Sequence, residues 1–184
     1  MNIEHLEEAI RNLEITKRLL YKQLQEAQSW NPESGVLHHH VLPKAAVEWL
    51  KINDQDVCKI EFDGSLPFYH KDPSYRAEIR DYYFKATLQA YDWSNNEFRL
   101  LKAFVIIAHH FIDNNIHDLD NRNRKSIFDS LRKTGMIDDS WQNLTTMEIG
   151  IPDTKERVIV YVTSIENATI CTDYLVNQKL TDNR

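Results

Sequence analysis

Asp118 and Asp120 stand two apart in the stretch His117–Ser140, and Asp138 and Asp139 stand side by side near its end. On an extended backbone, residues two apart point to the same side, so the first two carboxylates face one point. Converging carboxylates repel unless a cation lies between them or one holds a proton. Mg²⁺ and Mn²⁺ prefer oxygen ligands, so a divalent ion is the natural solution. The second pair returns after one helix and a turn, and Asp139 or Asp138 would then complete an acidic cluster with Asp118 and Asp120. Between the pairs, residues 121–133 carry five cations (Arg122, Arg124, Lys125, Arg132, Lys133) against one acid, Asp129. That reverses the sign of a chain whose formal net charge is −6. Carboxylates that hold a metal, beside cations that hold phosphate, suit phosphodiester hydrolysis. The same residues also fit a plainer reading. Asp118 would sit in a turn, Asp120 and Asn121 would cap a helix, and Asp138 and Asp139 would cap the element that follows.

Several elements must position these side chains. Phe98–Ile112 is strongly apolar and predicts a central strand ending just before the first aspartates. "NRNRKSIFDSLRKTG" predicts a helix with Ile127, Phe128 and Leu131 toward the sheet. Lys125, Asp129 and Arg132 gather on its other flank, and Gly135 stops it. The free N–H groups at the start of this helix suit phosphate. Upstream, "VCKIEFDG" alternates as a strand from Val57, "SLPFYHKDP" reads as a loop, and Ser74–Tyr91 as a helix capped by Ser74. Its inward face would use Ile79, Tyr83, Ala86, Leu88 and Ala90. "PKAAVEWLKIN" reads as a short helix with Pro43 at its first position. Downstream, "LTTMEIGI" and "ERVIVYVTSI" flank "PDTK" as a hairpin, and "TDYLVNQKL" reads as a short helix in the tail. The fold class is a mixed α+β (or α/β) domain, a small mixed sheet with helices packed on it.

Residues 1–30 form a separate unit, a long helix. Ile3, Leu6, Ile10, Leu13, Leu20, Leu24 and Ala27 recur in alternating steps of three and four, with Lys17 in the gap. Such a seam suits a two-stranded coiled coil, or an amphipathic helix lying on its own domain. A linker with the short helix follows over 31–56, the main domain covers 57–166, and 167–184 is a tail. His38, His39 and His40 are consecutive, which on an extended segment is poor geometry for one metal.

The 184 residues are 42% hydrophobic with only four glycines, enough for a core and against a loop-rich scaffold. The acidic total argues against a surface that attracts nucleic acid everywhere and leaves room for a local basic groove. Cys58 and Cys171 are far apart and read as free thiols in a reducing compartment. The charged start lacks a signal peptide's apolar stretch, and "AFVIIA" is far too short to span a bilayer. A soluble, cytoplasmic protein with no membrane partner is expected.

Taken together, "DLDN", a lysine, an aspartate before an aliphatic residue on the same helix, then "G" and "DDS" resemble the RusA family of Holliday junction resolvases. The matching residues are Asp118, Asp120, Asn121, Lys125, Asp129, Leu131, Asp138 and Asp139. "KIEFDGSLPFYH" and "YRAEIRDYYFKATLQA" match the family's strand, Pro-containing loop and Tyr-Arg helix in pattern, and the resemblance spans about Val57 to Ile165. It implies a homodimeric, Mg²⁺-dependent endonuclease, with Mn²⁺ as a substitute, that nicks four-way DNA symmetrically in recombination and repair. It implies Asp118, Asp120 and Asp139 as metal-binding and catalytic carboxylates, and Lys125 near the scissile phosphate. Asp138, Asn121 and Asp129 would support the site, and Arg122, Arg124, Arg132 and Lys133 would bind DNA. It also implies a cytoplasmic setting, in bacteria or encoded by a phage or mobile element. The step from Asp120 to Lys125 is one residue longer than the family's, so Arg124 is an alternative to Lys125. The first 56 residues have no counterpart in short family members and could hold a protein partner. Two other readings stand beside this one: a metal-dependent nuclease for other branched nucleic acids, and a non-catalytic DNA-binding adaptor with the same fold.

Overall fold

The computed structural model describes residues 45–181 except 70, 96, 113–118, 139 and 141, together with 5–6, 8–10, 12–13, 15–16 and 19–20. Asp118, Asp139 and His38–His40 therefore lie outside the described residues.

The sheet begins earlier than the sequence suggests. Ala45–Ile52 is a strand, β1, and not the short helix that its residues predict. Asn53 and Asp54 both adopt positive φ, 49° and 64°, the backbone that a tight two-residue hairpin demands. They fold β1 back antiparallel on β2, Gln55–Asp63, with Ile52 opposite Gln55. Ala, Leu, Glu and Lys favour helix locally, and pairing with β2 overrides that preference.

Three more strands complete the sheet: β3 (Ala103–Phe111), β4 (Leu144–Pro152) and β5 (Arg157–Ser164). Their order is β1-β2-β5-β3-β4. β5 is antiparallel to both β2 and β3, while β3 and β4 are parallel. Thus β4 and β5 are not the expected hairpin, because β3 lies between them. The short link 153–156 instead crosses over the end of β3, where the Asp153 N–H donates to the Phe111 carbonyl at 2.7 Å. A parallel pair needs a crossover connection, and the helix Lys125–Lys133 lies within the one that joins β3 to β4.

We number the helices α1 (Pro73–Ala90), α2 (Lys125–Lys133) and α3 (Ala168–Thr181). α1 is capped by Asp72 rather than by Ser74, and the Asp72 carboxylate accepts from the Ser74 N–H at 2.9 Å. Its buried face is Tyr75, Ile79, Tyr83, Ala86 and Thr87, whereas Leu88 is exposed. α1 and α2 cover one face of the sheet, burying Ile79, Tyr83, Ile127 and Leu131 against Ile60, Phe62, Val105, Ile107 and Val160. α3 covers the other face, with Cys171 and Leu175 against Ile106, Ala108, Ile159 and Tyr161. Between the two, β3 is buried at all nine positions, as a central strand must be. Cys58 and Cys171 are free and buried, one on each side, and burial pushes their thiols up to about 12 and about 11.

The described residues between 5 and 20 are helical. Leu6, Ile10, Leu13 and Leu20 of the heptad seam are exposed, while Ile15, which is off the seam, packs against the core under α1 and α2. No helix among the described residues is long and apolar enough to cross a membrane.

Candidate nucleic-acid and metal site

The segment carrying Asp120 is held by the loop that follows β2. The Tyr69 N–H donates to the Asn121 carbonyl at 2.7 Å, and the Asn123 N–H donates to the Pro67 carbonyl at 2.8 Å. Between them Phe68 and Arg122 form an isolated bridge. Arg122 is only 8% exposed; its Nη1 donates to the Leu66 carbonyl at 2.7 Å, and its guanidinium lies 4.1 Å from the Phe68 ring centroid. A guanidinium so placed braces the loop and borders the cavity above it.

Above this brace the described carboxylates differ. Asp120 is exposed and lines a cavity of about 310 Å³ together with Tyr69, Asn121, Arg122, Asn123, Arg124 and Lys125. Arg124 hydrogen-bonds Glu148 on β4, and that bond, with the Asp120 charge nearby, raises its pKa further. Asp129 is nearly buried and committed, to Lys125 at 3.1 Å and to Arg132 at 3.6 Å, so the predicted Lys125–Asp129–Arg132 flank is present.

Asp138 is elsewhere. Ile137 bridges Leu100, and the Asn143 carbonyl accepts from the Ala103 N–H, which places this turn at the start of β3. Asp120 lies beyond the end of β3, by the first residue of α2. The rise of α2 alone separates the two positions by about 12 Å, whereas a magnesium ligand sits about 2 Å from the ion. Asp138 is thus placed toward the opposite end of α2 from Asp120. The crossover returns the chain to the beginning of a parallel strand, not to its end. Asp138 instead accepts from Asn143 Nδ2 at 3.1 Å and the Ser140 N–H at 3.1 Å, bonds that hold its carboxyl below the ordinary range. This is the plainer capping role. Arg132 and Lys133 are exposed at this same C-terminal end of α2.

Glu148 and His109, which face α2 from the sheet, are absent from the residues that motif and spacing single out. His109 is 1% exposed, and among the described residues neither ring nitrogen meets a hydrogen-bond partner; Nε2 stands 3.4 Å from Glu148 Oε2, which has none there either. Burial, only partly countered by Glu148, lowers the His109 pKa. A polar pair inside an otherwise apolar sheet was the available signal.

Among the described residues, no three His, Cys, Asp or Glu side chains converge as a metal site. The donors at the cavity, the Asp120 carboxylate and the Asn121 amide, are hard oxygens that fit Mg²⁺ or Mn²⁺. No protein-family model matches the chain, and no curated protein matches it significantly.

Proposed function

We propose that the protein is a Mg²⁺-dependent endonuclease of the RusA type that resolves four-way DNA junctions by paired nicks. The observation that carries this reading is the Asp120 cavity, an exposed carboxylate among Asn121, Arg124 and Lys125 in a chain of net charge −6. Asp118, Asp120 and Asp139 would hold the metal, which supplies an activated water and stabilises charge developing on the phosphate. Lys125 or Arg124 orients the scissile phosphate, and Arg122 keeps the loop in place. A two-fold dimer yields two such sites, as two symmetric nicks require. The exposed seam of Leu6, Ile10, Leu13 and Leu20 offers a surface on which two copies associate.

The test is a synthetic four-way junction with Mg²⁺ or Mn²⁺. Nicked duplexes, without cutting of linear duplex, are the expected products; tight binding with no cutting of any branched DNA would favour an adaptor. Replacing Leu13 and Leu20 by Asp, both exposed, should weaken the dimer at least about tenfold in sedimentation, roughly 1.4 kcal/mol. An unchanged dimer would assign the seam another role.

A further inference from the structure

A second cavity adjoins the first. It holds about 210 Å³ between α1 and α2 and is lined by Tyr69, Arg76, Arg80, Asn123, Lys125 and Asp129, among others. Tyr69, Asn123 and Lys125 line both cavities, so the two form one continuous groove. Three cations stand in this second part against one carboxylate, Asp129, which is already bound to Lys125 and Arg132.

The cations are arranged to meet a ligand. Arg76 Nη1 donates to the Tyr69 hydroxyl at 2.9 Å, and its guanidinium lies 5.6 Å from the Tyr69 ring centroid, so its direction is fixed while donors remain. Among the described residues Arg80 pairs with its neighbour Asp81, at 3.6 Å with both side chains more than half exposed, an ion pair too weak to hold it. The start of α2 opens into the same space. Its cap residue is Arg124, no side chain caps it, and no acid lies in its first turn. The N–H groups of Arg124 and Ile127 donate to the Arg122 and Arg124 carbonyls, so what the helix start offers an anion is at most the N–H groups of Lys125 and Ser126. Tyr69, 44% exposed, adds an aromatic face at the junction of the two cavities.

We propose that this groove is a second DNA contact, in which Arg76, Arg80 and Lys125 hold successive backbone phosphates of the arm leaving the Asp120 cavity, with Tyr69 against the nucleotide at the branch. The proposal rests on reading the Asp120 cavity as the nuclease centre. It also explains how an acidic protein binds a polyanion, since affinity comes from one strip beside the reacting phosphate rather than from the whole surface.

The experiment uses the full chain as wild type, Arg76→Ala/Arg80→Ala, and Arg80→Glu alone. Arg80 is exposed, so its replacement leaves the core untouched; thermal melting checks the fold of all three. Binding of a fluorescent four-way junction is measured in Ca²⁺ across a salt series, and cutting in Mg²⁺ under single-turnover conditions at saturating protein. The double variant should bind at least about tenfold more weakly, and its salt slope should fall by about 2, one unit for each phosphate no longer held. Arg80→Glu should lose binding in the same direction. Wild-type affinity and slope in the folded variants would overturn the groove while leaving the nuclease reading intact. Weakened binding by variants of a wild type that never cuts would keep the groove and remove the nuclease. A wild type that binds no DNA would end both.

Discussion

His109 and His110 are neighbours on β3, and their side chains enter different networks on opposite faces of the sheet. On the α3 side, His110 Nδ1 lies 2.7 Å from Asp153 Oδ2. Arg157 donates to the same oxygen at 3.0 Å through Nε and reaches Glu61 at 3.1 Å through Nη1. The other Asp153 oxygen accepts from the Thr154 N–H at 2.6 Å. Both carboxylate oxygens are used, and the link crossing the end of β3 is fastened there. On the α2 side, Glu148 gives one oxygen to Arg124 and leaves the other, with both nitrogens of His109, without a hydrogen bond. His110 Nε2, like both nitrogens of His109, has no hydrogen-bond partner among the described residues, so the two faces differ in their carboxylates: Asp153 has both oxygens bonded and Glu148 leaves one buried oxygen open, which costs stability. The open carboxylate is the one connected to the Asp120 cavity.

The largest effect should come from Asp120→Asn. If the cavity is the nuclease centre, junction cutting falls by more than about 100-fold, since losing only an outer partner of a metal ligand costs about 10–100-fold. Binding is kept, and unchanged cutting would sink the metal assignment. Next, Asp153→Ala should destabilise the fold by about 2 kcal/mol, between the values for exposed and buried ion pairs. That lowers the melting temperature by roughly 4–8 °C and leaves cutting at 25 °C unchanged. Glu148→Gln should do the reverse, slowing cutting by about tenfold and costing less than about 1 kcal/mol in stability. Equal losses of stability in Asp153→Ala and Glu148→Gln would erase the contrast between the two faces.

The smallest effect is in pH. Burial lowers the pKa of both histidines, so the unfolded chain takes up their protons first and stability falls as pH drops below about 6.5. Burial alone would raise Asp153, but Arg157, the Thr154 N–H and His110 outweigh it and bring the pKa down to about 2. Its folded value lies below its unfolded one, so its contribution is present above about pH 4 and is lost as pH falls toward 2. Urea midpoints should therefore fall in two stages, with the lower one reduced in Asp153→Ala, since Asp138 also has a lowered pKa. A single stage in both proteins would contradict the closed network.

What the sequence discloses follows from range. The β3 run, the basic α2 and its Gly135 stop are legible because each depends on residues close together. Ala45–Ile52 misleads because Ala, Leu, Glu and Lys are helix formers, and only the distant β2 makes them a strand. The turn before β5 is recognisable, yet a turn signal cannot reveal that β3 inserts between the strands it joins. Arg122 reads as a surface cation because its carbonyl partner, Leu66, is far away in sequence. Glu148 carries no signal in the hairpin arm "LTTMEIGI", and its partner Arg124 is 24 residues away in sequence. Tyr69 and Arg76 come together through the loop after β2, which no local pattern announces.

The sealed exit of β3 sets a clock. Hydrogen-bonded on both sides and buried throughout, the strand can exchange its amide hydrogens with solvent only when the whole sheet opens. The Asp153 N–H closes its final carbonyl at Phe111, and the next residue, Ile112, is 64% exposed. Protection should drop in one step between these two residues rather than fade along the strand. Opening at Ile112 therefore need not disturb the sheet beside it.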